Sequence, residues 1–135
     1  MLKQIEGSEA VAEAVAFLQE HPETGLVYGD TNFIDEDDRV IGRFPSRQTG
    51  YRRLRWGYVH VAQQAAFFRA DLWHKIGPLD PSFYFAMDYD LWMRFAKRGA
   101  RVCTVSWPVA FFRLHDKQKI KNRTATIEEQ ARIRD

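Results

Sequence analysis

Cysteine is nearly missing from this chain: Cys103 is alone among 135 residues, which excludes an internal disulfide. It lies in the apolar run Val102–Val105, a setting for a buried, inert thiol rather than a nucleophile. An excess of charge is missing too. Twenty Lys and Arg against eighteen Asp and Glu leave a formal net charge of +2, which argues against a nucleic-acid partner. No apolar stretch reaches the length of a membrane span, and the first residues carry no signal-peptide pattern, so the expected location is the cytoplasm. No glycine-rich phosphate loop and no strand–helix–strand unit stand before Ser8, and no repeat is visible. What is present is a 45% hydrophobic, 14% aromatic composition, suited to one globular α/β domain with a single core.

Hydrophobic spacing divides the chain. Ser8 is placed to cap a helix carrying Val11, Ala14, Val15 and Leu18, closed by Pro22. Gly25–Gly29 reads as a short buried strand. Thr31–Asp35 and Arg39–Phe44 read as a hairpin around the acidic turn Asp35–Asp38. A loop spans Pro45–Gly50, and a short helix follows over Tyr51–Trp56. Val59–Arg69 contains a strand ending in Ala65–Phe68, and Ala70–Gly77 is a short helix ended by glycine. Asp88–Lys97 is a longer helix, with Leu91, Trp92 and Phe95 on one face and Asp90 spaced to pair with Arg94. Arg101–Val105 and Pro108–Phe112 read as two strands. Beyond His115 the chain is a polar tail, with a helix expected over Thr126–Arg134. Excess positive charge gathers over Arg47–Arg55 and Arg113–Arg123, as solvated surface or facing an anion.

Taken by spacing alone, Asp88 reads as a helix N-cap, Gln63 as a glutamine satisfied by backbone, and His115 as a surface histidine after a strand. The order of four segments changes those readings. The run from Gly77 to Ala96, centred on Ala86-Met-Asp-Tyr-Asp90, resembles the acceptor-side motif of the family 2 inverting glycosyltransferases, which have the GT-A fold. Pro22–Asp30 with Ile34-Asp35, Gln63-Gln-Ala-Ala-Phe-Phe-Arg69 and Phe112-Arg-Leu-His115 resemble three more segments of that family, in the same order. The resemblance covers about Val11 to His115. The nucleotide-binding half and the acidic metal motif, which in that family come first, are not among these residues.

The resemblance implies a partial GT-A-like mixed sheet with flanking helices and a small β-hairpin. It implies transfer of a sugar from a nucleotide-sugar to a hydroxyl of a sugar or lipid-linked acceptor, with inversion. Asp88 would be the catalytic base. Gln63, Asp30, Asp90 and Arg113 would contribute to substrate binding, and His115 would reach a divalent cation (Mn2+ or Mg2+) or the diphosphate; Trp56, by its residue type, is either rim packing or a stacking surface for the acceptor sugar. Asp90 also has a structural reading through Arg94, and Asp30 a structural one. The acid-x-acid pattern Asp35-Glu-Asp37 imitates the family's metal motif, but it falls in a hairpin turn, where acidic residues are commonplace. A portion without its donor half would have little turnover alone. A reading of another class follows from the same gap: a binding or assembly module that self-associates, or pairs with a separate nucleotide-binding half, through an exposed sheet edge or the apolar side of the Val11–Leu18 helix. Basic clusters leave peripheral attachment to an anionic membrane surface open for a parent enzyme.

Overall fold

The computed structural model describes residues 7–57, 61–114 and 123–134. In chain order the elements are α1 (Gly7–Glu20), β1 (Thr24–Ile34), β2 (Val40–Phe44), α2 (Tyr51–Arg55), a single 3-10 turn (Gln63–Ala65), β3 (Ala66–Phe68), α3 (Ala70–Ile76), α4 (Met87–Lys97), β4 (Arg101–Arg113) and α5 (Arg123–Arg134). The expected mixed α/β architecture is present. Among the described residues the four strands form one mixed sheet.

β1 organises that sheet. β4 pairs with it in parallel from Thr24↔Arg101 to Ile34↔Arg113 and occupies one edge along its length. The other edge is shared: antiparallel β3 covers Leu26–Tyr28, and antiparallel β2 covers Thr31–Ile34. The expected break between Gly29 and Thr31 does not occur, and neither does the break between Val105 and Pro108. The two strands run past these positions together because pairing irregularities between Tyr28 and Thr31 absorb the misfit. The Thr31–Phe44 hairpin forms as expected, with Asp38 at φ 62° closing its turn. Its first strand is part of the main sheet, since Thr31–Ile34 also pair with Ala110–Arg113.

Two apolar layers cover the sheet. On one face Leu26, Tyr28 and Val102 meet Tyr89, Trp92 and Phe95 of α4, with Phe68 ringed by Trp73, Trp92 and Phe95. On the other face Val27 and Val105 meet Ala14 and Phe17 of α1. The faces alternate along β1 as period-two geometry requires. Gly25 is needed where α3 crosses the strand: a Cβ there would lie 2.8 Å from Leu72 Cδ1. Arg69 ties α1 to the sheet by donating to the carbonyls of Thr24, Leu18 and His21, satisfying two at the end of α1. α1 begins at Gly7, so Ser8 falls inside the helix rather than before it. Cys103 is half-buried and shares a hydrogen bond with Thr24 Oγ1 at 3.2 Å, in line with an inert thiol.

Candidate functional site

Asp88 is the second residue of α4, and Ala86 holds the N-cap position, so the capping reading of Asp88 is not the observed one. Asp88 is half-buried, and its Oδ1 accepts the amide of Tyr89 at 2.8 Å. The N-terminal end of a helix favours a carboxylate in its ionised form. The turn before it is held from far away in sequence. Glu129 of α5 accepts the backbone amides of Tyr84 (2.6 Å), Phe85 (2.6 Å) and Ala86 (2.9 Å). Burial works against its charge, but these amides and Arg132 outweigh it and hold its carboxyl below the ordinary glutamate value. An ionised carboxylate accepts such donors most strongly, and it does for this turn what a cap does for a helix end.

The height of Asp88 over the sheet follows from chain geometry. α4 turns through Arg98-Gly99, with Gly99 at φ 87°, and feeds β4 at Arg101. From Lys97 back to Asp88 the helix rises about 14 Å, which a strand covers in about four residues. By this spacing Asp88 lies near the level of Val105, just before the midpoint of β4 and beside the middle of β1.

The loop between β2 and α2 is laid across the same level. Ser46 donates from its amide (2.6 Å) and hydroxyl (2.8 Å) to Asp30 Oδ1, while Arg43 engages Oδ2. Gln48 donates to the Val102 carbonyl at 2.7 Å, and the Tyr28 hydroxyl donates to the Arg47 carbonyl. Asp30 is 1% exposed, with both oxygens engaged. Burial raises its pKa, yet the Ser46 donors and Arg43 together hold the carboxyl below its usual value. Its place is structural: it fastens the loop that passes beside the site. The Tyr28 phenol, buried under that loop, is pushed up to about 12.

Asp90 is also placed by its neighbours. Its Oδ2 accepts from Arg94 Nε at 2.9 Å, the expected helical pair, and Arg94 continues to the carbonyls of Ile76 (2.7 Å) and Pro78 (2.8 Å). Burial leaves the Asp90 pKa raised in spite of Arg94. Gln63 was expected on a strand; it sits instead on the 3-10 turn, exposed, because strand pairing begins only at Ala66. Its neighbour Gln64 reaches Thr31 Oγ1 at 3.3 Å. Trp56, at the C-terminal end of α2, is 79% exposed, whereas Trp92 is 2% exposed with its indole nitrogen unpartnered. Arg113 reaches the Asp35 carbonyl and Asp38, and so braces the hairpin turn. His115 lies outside the described residues.

No divalent-cation site assembles among the described residues, where no group of three or more His, Cys, Asp and Glu converges. Asp35 Oδ1 is occupied by the amides of Asp37 (2.8 Å) and Arg39 (2.9 Å), the arrangement of a turn cap rather than of a metal ligand. The described donors alone do not form a site for the metal that the resemblance implies, and His115, the residue expected to reach it, is not among them. No helix among the described residues is long and apolar enough to cross a membrane.

The structure thus sets Asp88 on the first turn of α4, Asp30 under the β2–α2 loop, Gln63 on the 3-10 turn and Arg113 at the hairpin turn. Glu129 and Arg69 went unnoticed in the sequence, since each acts on backbone dozens of residues away. No protein-family model matches the sequence, and no curated protein matches it.

Proposed function

We propose that this chain is the acceptor-side portion of an inverting glycosyltransferase of the family 2, GT-A type, in which Asp88 takes the proton from the acceptor hydroxyl as that oxygen attacks the sugar's anomeric carbon. The observation that supports it most is the placing of Asp88. It is a half-buried carboxylate on the first turn of a core helix, and Glu129 fixes the turn that leads into it. A positioned base contributes about 10²–10⁴-fold in rate. Nucleotide-sugar binding and any cation would be supplied largely by residues outside those described.

The test uses the chain joined to whatever its gene encodes in frame upstream of Met1, incubated with a panel of nucleotide-sugars and scored for released nucleoside diphosphate. Asp88→Asn keeps size and cannot take a proton, so turnover should fall by about 3–5 kcal/mol of transition-state stabilisation while nucleotide-sugar binding persists. Asp90→Asn should act through stability, because Asp90 anchors Arg94. Near-normal turnover in Asp88→Asn would remove the assignment of the base.

A second reading, the assembly module, rests on the outer edge of β4. Among the described residues this long strand pairs with β1 alone, and Val11 and Val15 of α1 are 50% and 46% exposed. An open edge of that length is a template for another strand. Sedimentation at micromolar concentration should then show association that grows with concentration; a monomer at all concentrations would dismiss this reading.

A further inference from the structure

Away from Asp88, α2, α4 and α5 enclose a concave site with unbalanced charge. A cavity of about 290 Å³ is lined by Tyr51 and Arg55 of α2, Lys97 of α4 and Arg134 of α5, with the Asp90–Arg94 pair in its wall. A shallower extension is lined by Arg52 and Trp56. Asp88 and Lys97 are nine residues apart, about two and a half helical turns, so they project from opposite sides of α4. The site therefore does not depend on the transferase reading.

Among the described residues its charge balance is one-sided. Arg94 is matched by Asp90, but Arg52, Arg55, Lys97 and Arg134 form no ion pair among the described residues. Gathering cations in a concavity costs Coulomb energy, which an entering anion would relieve. The backbone makes room for one of them. Gly57, at φ 91°, leaves open the space beside its Cα that the Arg134 guanidinium fills, and a Cβ there would collide with Nη1. The aromatic pair is arranged to match. Trp56, 79% exposed at the rim, and Tyr51 offer flat apolar surface next to the guanidinium groups.

We propose that this cleft binds a phosphomonoester or diphosphate group carried on an apolar or planar moiety. Arg52, Arg55, Arg134 and Lys97 bind the phosphoryl oxygens, and Trp56 covers the attached moiety. Guanidinium forks match phosphoryl oxygens in geometry as well as charge, and several cations in one cleft suit a group bearing more than one negative charge. Tryptophan beside arginine suits a ligand with one apolar and one ionic end, free in solution or standing in a lipid surface.

The test titrates the full chain with inorganic pyrophosphate by calorimetry and, separately, measures co-sedimentation with phosphatidylcholine vesicles containing phosphatidic acid. Saturable binding is expected in at least one arm. It should weaken by more than about tenfold in Arg52→Glu/Arg55→Glu, and stay unchanged in Lys75→Glu/Arg101→Glu, which alters net charge equally elsewhere. Lys97→Glu, a single exposed change on another helix, should weaken it too and serves if the double variant unfolds. Pyrophosphate binding alone identifies a soluble ligand; vesicle binding that needs Arg52 and Arg55 identifies a lipid headgroup. Binding in neither arm, or equal binding by cleft and control variants, overturns the proposal.

Discussion

Removing the Glu129 carboxylate should destabilise a turn that begins dozens of residues upstream of it. In Glu129→Ala the amides of Tyr84, Phe85 and Ala86 lose a shared acceptor. A hydrogen bond to a charged group contributes about 1.5–3 kcal/mol when desolvated, and less where water can replace the lost partner. The bond to Tyr84 is exposed and those to Phe85 and Ala86 are partly buried. Counting little for the first and about 1–1.5 kcal/mol for each of the others gives about 2–3 kcal/mol. For a chain of this size that lowers Tm by about 7–12 °C. Glu129→Gln, with one acceptor oxygen and no charge, should fall between the two. Thermal unfolding followed by far-UV circular dichroism at pH 7 measures both.

The pH dependence provides a second check. The folded pKa of Glu129 lies below the ordinary 4.5, so protonation favours the unfolded chain. Its contribution is complete above the unfolded value and is lost as pH falls through the folded one. The gap between wild type and Glu129→Ala should be flat from neutral pH down to about 5 and close below that. A Tm within about 2 °C of wild type at pH 7, or a gap that does not close in acid, would refute the assignment of Glu129 as the anchor of this turn.

Other substitutions test the scaffold around the site. Asp30→Asn turns an amide donor toward the Ser46 and Arg43 donors and should cost about 2–4 kcal/mol, read as a lower denaturant midpoint at unchanged slope. An unshifted midpoint would return Asp30 to the substrate-binding set. Gly25→Ala places a Cβ 2.8 Å from Leu72 Cδ1 and 3.3 Å from Ala100 Cβ, and should cost about 1–2 kcal/mol by overpacking in the same measurement; a neutral result would mean that α3 yields.

What was legible in the sequence was whatever depends on near neighbours. The Leu91–Trp92–Phe95 face, the Asp90–Arg94 pair and the acidic hairpin turn all appear as expected, because spacing alone determines them. Local pattern divides β1 and β4 into two strands each. The residues at their midpoints, Gly29-Asp30 and Ser106–Pro108, look locally like breaks, and only pairing between distant segments carries the chain through. Gln63 was misplaced by the same limit, since the start of β3 is decided by Tyr28 and not by the residues around Gln63.

The candidate site shows this limit most clearly. Local pattern puts Asp88 at the beginning of a helix, and so it is. The two contacts that decide how firmly that beginning is held come from elsewhere. Glu129 grips the incoming turn, and the Tyr89 hydroxyl, next to Asp88 in sequence, donates to the Leu54 carbonyl at the end of α2. Contacts from both α2 and α5 therefore hold the segment that carries Asp88. The tail beyond His115, which composition alone would dismiss as polar surface, supplies one of these two holds. Loss of α5 should displace Asp88 even though every residue of the acceptor-side motif remained, which is why a motif can be complete in sequence and its carboxylate still not be fixed by the motif alone.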